Sequence, residues 1–519
     1  MHSNTKKIFN GAAWLGMSTI FIKIIGLVYK IPMSYLLGDE GMGYFNSAYT
    51  VYGFFYIIAI AGIPKAISIL CAKSSDGEAK SIFIFVYRIY LLIGALLTVI
   101  LFFFARPIAI GIGNINSTYT ILVISPSVFF VCATGVIRGY LSGKTKFLPI
   151  AISEFISALC KLILGLLFAI YAIKRNFSLP ITCAFSILGI TLGSFFGFIY
   201  LYAYYKKESG NFKPEKIHGR KILKEVLSLG LPITFAAMIS GIVNIIDLSV
   251  MMNALKSSGY SETVCTVIYG NYTTLAVPMF SFVTNLINTI ALASLPVIAG
   301  CFSKNEYGEI QKSVSSSLKL LFFISIPAFF AFFLFPIEIL GIIFEEGSVR
   351  LGSTFLYFLA PGILFYSLLS LTNTVLEANG RIKAAVFSLT VGAISKSLLG
   401  VFIVNSEEIG ALGAPVSTTV SYFISAILSL IFYVKYIIKE NGIKLHITNS
   451  CFSPIFSSAA ASVLTLIIKR ALPTTLSLRL SSLLILFFYG FSYLFFGILS
   501  TFARKKHRFI GNMHNKTSF

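Results

Sequence analysis

The sequence predicts an all-α polytopic membrane protein with about 14 transmembrane helices. Hydrophobic residues make up 56% of the 519 residues, whereas charged residues make up only 12%, about half of the usual share in a soluble domain. Apolar runs of about 20 residues recur from one end of the chain to the other. Because these runs are continuous and separated by short polar loops, they favour helices over the alternating pattern of a membrane barrel.

Charged residues and Gly, Pro or Asn clusters separate fourteen candidate helices. They lie near residues 8–37, 44–72, 81–104, 118–141, 148–171, 179–205, 222–254, 267–301, 313–337, 352–376, 384–404, 411–438, 451–468 and 480–502. An even number of spans places both termini on the same side of the membrane.

The distribution of Lys and Arg predicts which side that is. The side of the termini carries 24 of these residues and the opposite loops carry 8. Since cytoplasmic loops are enriched in Lys and Arg, we expect both termini to be cytoplasmic. Topology thus accounts for most of the net charge of +22, and we predict no nucleic-acid partner.

An internal repeat defines the predicted domains. Residues 125–165 align with residues 360–400 without a gap, and 8 of the 41 positions are identical. The repeat step spans six helices, which predicts two parallel six-helix lobes at 1–210 and 211–440, with helices 13 and 14 and a basic tail at 441–519. In transporters built from such repeats the substrate site is expected between the halves.

Two glycine-containing motifs have structural explanations. The segment GYLSGKT at 139–145 has three residues between its glycines, whereas a nucleotide-binding P-loop needs four. The three glycines of GITLGSFFG at 189–197 are four apart, which predicts one face of a closely packed helix. No catalytic constellation, metal site or cofactor is predicted, so the sequence favours a transporter over an enzyme.

Basic residues within or at the edges of the spans are the strongest functional signal. A lysine at the centre of a membrane helix costs roughly 2.5–3.5 kcal/mol on insertion scales, so it normally faces a cavity or a partner. Lys23 and Lys30 are seven residues apart and therefore lie on nearly the same helix face. Lys23 is close to the middle of its span, and this position predicts a contact with a cavity. The side chain of Lys30 could instead extend to the outer interface.

Several other charged residues remain open between a cavity role and an anchoring role. Lys65 and Arg88 lie next to predicted interfaces, and Arg138 fits an ordinary positive-inside residue. Glu154 precedes Lys161 by seven residues and could pair with it through the intervening turn. The secondary cavity candidates are Arg88, Glu154, Lys161, Asp247 and Lys396.

Acidic residues are scarce in the spans, where only Glu154 and Asp247 lie clearly within predicted helices. A low-dielectric cavity with more Lys than Asp or Glu favours an anion. Phosphate or pyrophosphate is the natural candidate.

At 23–68 and 138–165, together with the carboxyl-terminal repeat, the chain resembles the polysaccharide-exporter branch of the MOP flippase superfamily. The segments KIIGLVYKIPMSYLLGDEGMGYFNSAY and RGYLSGKTKFLPIAISEF carry the likeness. Within that branch it is most similar to the stage V sporulation protein B group, which is related to MurJ-type lipid II flippases.

The resemblance implies a function and a location. It implies transport of an undecaprenyl-pyrophosphate-linked cell-wall precursor, such as lipid II, to the outer leaflet of a bacterial plasma membrane by alternating access of the two lobes. It also implies a lipid groove at helices 13 and 14. We expect a monomer in contact with membrane lipids, and Na⁺ or H⁺ coupling remains open.

The resemblance also implies binding residues. Lys23 corresponds to a basic position that contacts pyrophosphate, Lys30 corresponds to a second one with a shift of one residue, and Lys65 lies near a third. Asp39, in the first outer loop, falls where relatives can carry an acidic residue, although a solvated loop acid explains it equally well.

Two alternatives come from other functional classes. A MATE-type multidrug antiporter shares the twelve-helix core but needs buried carboxylates, for which Asp247 and Glu154 are the candidates. A membrane scaffold for wall assembly would need no transport at all.

Overall fold

The computed structural model describes the backbone of residues 2–209, 212–344, 346–404, 410–473 and 476–514. It describes their side chains except at residues 2–24, 27, 236, 240, 404, 449 and 501–514. Within these ranges the chain is helical and contains no strand, which confirms the predicted fold class.

Eighteen α-helices, α1 to α18, follow one another along the described chain. In order they are His2–Ile60, Ile63–Lys73, Asp76–Phe103, Ala105–Gly111, Thr118–Gly143, Phe147–Lys174, Leu179–Ser209, Gly219–Ser257, Glu262–Asn271, Val277–Ser303, Tyr307–Leu334, Pro336–Gly341, Glu346–Ala378, Ile382–Val404, Gly413–Tyr433, Lys439–Asn441, Ile447–Ala471 and Leu478–His514.

Helix α1 contains the first predicted span and most of the second. A kink at Gly38, where φ is +64°, divides it at the predicted boundary, because glycine adopts positive φ without a steric cost. A second break at 61–62 then separates α1 from α2. Thirteen helical segments of the described chain are long and apolar enough to cross a membrane, the first being Val28–Lys73.

The chain forms two compact units, Met1–Gly270 and Asn271–Phe519. Helix α8 packs against α1 and α2 and therefore belongs to the first unit, although the repeat assigns its sequence to the second lobe. The lobes at 1–210 and 211–440 remain a prediction from the repeat, as does the separate segment 441–519.

The sequence repeat is also a repeat in packing. In the first unit α5 packs against α3 and α7, and in the second unit α13 packs against α11 and α15. Thr191 on α7 donates a hydrogen bond to the carbonyl of Val123 at 2.8 Å, and Thr419 on α15 donates to the carbonyl of Phe358 at 2.7 Å. The two acceptors are 235 residues apart, which is the repeat step.

The glycines of 189–197 hold α6 and α7 together, as the sequence predicts. A Cβ atom on Gly189 would lie 2.5 Å from the backbone nitrogen of Gly165, and one on Gly193 would lie 2.6 Å from the carbonyl oxygen of Ser157. Only glycine permits this approach without a shift of one helix. The contact fixes the register of α6 and the direction of its polar side chains.

Candidate functional site

A cavity of about 460 Å³ lies inside the first unit, among α1, α5, α6 and α7. This volume is within the range of small-molecule sites, roughly 300–1,000 Å³. Its polar lining consists of Tyr49, Tyr52 and Tyr56 on α1, Thr134 and Arg138 on α5, Glu154, Ser157 and Lys161 on α6, and Ser194 on α7.

Lys161 supplies a positive charge to this cavity. Its Nζ lies 4.8 Å from the ring centroid of Tyr49 and 5.0 Å from that of Tyr29. The negative faces of both rings therefore stabilise the ammonium group. Among the side chains that the structure describes, no carboxylate pairs with Lys161. The lysine is held in place without being neutralised.

Lys30, on α1, lies near this cavity but is not one of the residues that line it. Its side chain is half-buried, and its charge interacts with that of Lys161. The neighbouring Tyr29 is buried, and its hydroxyl donates to the carbonyl of Ser186 on α7 at 3.5 Å. The bond between Tyr29 and Ser186 joins α1 to α7 next to Lys30.

Arg138 and Glu154 form an ion pair in the same cavity, with Nη1 of the arginine 2.9 Å from Oε1 of the glutamate. Their side chains are 21% and 28% exposed, so the pair is largely shielded from solvent. The suggested pairing of Glu154 with Lys161 is wrong. Seven residues along a helix separate them by about 10 Å, whereas Arg138 reaches the glutamate from the adjacent helix.

The charges of the site leave a net positive excess. Arg138 and Glu154 neutralise each other, whereas Lys161 has no carboxylate partner among the described side chains. Because the cavity is enclosed by low-dielectric protein, such charges are weakly screened. The arrangement can bind a small divalent anion such as a diphosphate.

Among the described side chains, those of Lys65, Arg88, Asp247 and Lys396 do not line this cavity. The side chain of Lys23 lies outside the described residues. Lys65 on α2 and Arg88 on α3 are exposed. Asp247 on α8 and Lys396 on α14 are half-buried, the first in the amino-terminal unit and the second in the carboxyl-terminal unit.

Sequence reasoning missed Arg138 and the tyrosines. Arg138 fits the positive-inside pattern, so its pairing with the half-buried Glu154 is visible only once α5 and α6 are packed. The tyrosines carried a usable signal, because Tyr49, Tyr52 and Tyr56 are three and four residues apart and form one face of α1.

These features define a multi-pass helical membrane protein with a polar, cationic cavity, and comparison with known proteins identifies its family. Residues 8–302 match the family described as polysaccharide biosynthesis protein, and residues 273–402 match the MatE family. The chain belongs to the polysaccharide biosynthesis protein family and, with it, to the MOP flippase superfamily.

Individual proteins agree with this assignment. The chain is 23% identical to the lipid II flippase MurJ of Bacillus subtilis, over 82% of each sequence. It is 21% identical to stage V sporulation protein B of the same organism, over 76% of this chain and 77% of that protein. The structure of a lipid II flippase MurJ in an inward closed conformation superposes with a TM-score of 0.71 at 17% identity, covering 94% of this chain and 98% of that one.

Proposed function

We propose that the protein is a flippase that moves a lipid-linked cell-wall precursor, with a polyprenyl diphosphate headgroup, from the inner to the outer leaflet of a bacterial plasma membrane. The termini are cytoplasmic in this proposal. Family membership and the names of the relatives support the substrate class. The observation that carries the proposal is the position of Lys161, a half-buried ammonium group in a membrane cavity without a carboxylate partner among the described residues.

Binding in this proposal begins with the diphosphate. Its oxygens accept charge-assisted hydrogen bonds from Nζ of Lys161, with Lys30 as the second cation. Lys23, two turns before Lys30 on α1, is the third predicted cation. The tyrosine rings orient Lys161 without neutralising it, so that the site binds the anion without first breaking an ion pair. The polyprenyl tail remains in the lipid while the headgroup crosses.

A flipping assay with the purified full-length protein in liposomes tests the proposal. The substrate is a defined polyprenyl-diphosphate sugar, and the variants are Lys161→Ala and Lys146→Ala. Lys146 is a matched control, because its ammonium pairs with Glu208 at 3.3 Å and does not line the cavity. Loss of one charge-assisted contact, about 1.5–3 kcal/mol, predicts at least a tenfold lower rate for Lys161→Ala. A wild-type rate in that variant contradicts the proposal.

A MATE-type cation antiporter is the second candidate, because residues 273–402 match the MatE family. Such a transporter needs a carboxylate available to a cation. In the first unit Glu154 is already paired with Arg138, which argues against it as that group. Efflux of an organic cation that requires Na⁺ or H⁺ and is lost in Asp247→Asn would favour this candidate over the flippase.

A further inference from the structure

The cavity of the first unit has two chemically different ends. Lys161 lies at one end, beside Tyr49, and the Arg138–Glu154 pair lies at the other, beside Tyr56. Glu154 and Lys161 are two helical turns apart on α6, about 10 Å. A ligand that contacts both ends must therefore carry a second polar group beyond its anion.

The Arg138–Glu154 end retains hydrogen-bonding capacity. Arg138 uses Nη1 for the ion pair with Oε1 of Glu154, and the side chains of both residues line the cavity. An ionised carboxylate accepts through two oxygens, and a guanidinium donates in a fixed planar fork. Side by side, the carboxylate can accept a hydrogen bond from one hydroxyl, and the guanidinium can donate one to the adjacent hydroxyl of the same ring. Adjacent ring hydroxyls are characteristic of a sugar.

The wall between the two ends is aromatic. The ring centroids of Tyr49 and Tyr52 are 5.9 Å apart, and those of Tyr52 and Tyr56 are 5.8 Å apart. Tyr49 is 40% exposed although it lies in the packed interior of a unit, because its ring borders the cavity. Tyrosine offers an apolar face together with a polar tip, which suits the C–H face and the hydroxyl edge of a sugar ring.

We infer that the Arg138–Glu154 pair and the tyrosine face of α1 form a sugar-binding subsite for the residue joined directly to the diphosphate of the substrate. This inference rests on the proposed function, since it assumes that Lys161 holds the diphosphate. It assigns different tasks to the two ends of the cavity: Lys161 binds any polyprenyl diphosphate, and Arg138 with Glu154 selects those that carry a sugar.

The test compares two ligands with the purified full-length protein in detergent. One is a short-chain polyprenyl diphosphate, and the other is the same molecule carrying one hexose. A site built to hydrogen-bond hydroxyls should prefer the glycosylated ligand by roughly tenfold or more in Kd. In Glu154→Gln, which keeps the size of the side chain but removes its charge, the preference should fall to about twofold, and the bare diphosphate should bind at least as tightly as in the wild type, because Arg138 then has no counter-charge.

Three further variants make the outcome decisive. Glu208→Gln removes a paired carboxylate outside the cavity and should keep the full preference. Tyr56→Phe removes one hydroxyl beside Arg138 and should lower the preference in part, which tests the inference even if Glu154→Gln does not fold. Lys161→Ala should weaken the binding of both ligands by the same factor.

Failure of the sugar subsite and failure of the proposed function give different results. Equal binding of the two ligands by the wild type, or a full preference in a folded Glu154→Gln variant, overturns the sugar subsite. Unchanged binding of the bare diphosphate by Lys161→Ala instead overturns the proposed function.

Discussion

The two halves of the repeat use the same register position in opposite ways. Arg138 in the first unit aligns with Asn373 in the second, 235 residues later. Arg138 lines a cavity and pairs with Glu154, whereas Asn373 is 6% exposed and its Oδ1 accepts hydrogen bonds from Ser429 at 2.7 Å and from Ser388 at 3.2 Å. The first unit has a charged side chain at this position, whereas the second has a neutral amide whose oxygen is hydrogen-bonded.

Neighbouring positions follow the same division. Glu154 aligns with Leu389, so the second unit has no carboxylate there. Ser429 also shares a hydrogen bond of 2.6 Å with Thr372, and both are fully buried. A buried polar cluster with its partners present stabilises and specifies packing, whereas a cationic cavity attracts a ligand. The two halves thus share one scaffold, and substitutions at a few positions leave a charged cavity lining in the first unit and a buried polar cluster in the second.

The largest expected effect comes from reversing the charge of the aligned lysines Lys161 and Lys396. At an effective dielectric constant of 20, removing an attraction at 4 Å corresponds to about 4 kcal/mol, or roughly a thousandfold in affinity. We expect Lys161→Glu to lose this much affinity for a polyprenyl diphosphate, measured as Kd in detergent. Lys396→Glu makes the same change at the equivalent position of the second unit and should have little effect. Equal losses in both variants would contradict the division between the units.

The second effect concerns the stability of the first unit. Arg138→Gln leaves the carboxylate of Glu154 shielded from solvent without its cation, and we expect a loss of about 2 kcal/mol in the free energy of unfolding. Chemical denaturation in detergent measures it. The double variant Arg138→Gln with Glu154→Gln should recover most of the loss, because no unpaired charge remains. A double variant no more stable than the single one would show that the ion pair is not the cause.

The third effect concerns the stability of the second unit, which depends on the buried polar cluster around Asn373. Asn373→Leu removes the acceptor for two buried hydroxyls, and we expect it to lower the free energy of unfolding by about 1–2 kcal/mol. The flipping rate per folded molecule should be unchanged, because this cluster packs and does not bind. Ser388→Ala, which removes one donor of the same cluster, should cost less. A flipping defect at normal stability would assign a transport role to Asn373.

The smallest effect is the contact between Lys161 and Tyr49. A partly shielded cation–π contact contributes about 0.5–1 kcal/mol, and a double-mutant cycle between Lys161→Ala and Tyr49→Leu should measure that coupling. Tyr49→Phe keeps the ring and should retain most of it. A cycle with no coupling would mean that the ring does not hold the ammonium.

Much of the fold was predictable because it depends on local sequence. Long apolar runs predict spans, Gly38 predicts a break, and the glycine face at 189–197 predicts close packing. Each of these signals acts within one helix or against its sequence neighbour.

The site was less predictable, because it depends on which helices meet. Helical periodicity places Lys161 on a face but does not show that Tyr29 and Tyr49 border that face. Arg138 lies on α5 and Glu154 on α6, on either side of the short connection between these helices. Only the packing of the two helices brings their side chains together. Lys65 follows the break at 61–62, so the periodicity of α1 does not extend to it and its side chain is exposed.

The position of the diphosphate is the most direct test of the central claim, that the first unit carries the anion site. A cryo-electron microscopy structure of the full-length protein with a short-chain polyprenyl diphosphate would locate it. We expect phosphate density within about 3 Å of Nζ of Lys161, the length of a charge-assisted hydrogen bond. Density beside Lys396, with the cavity of the first unit empty, would contradict it.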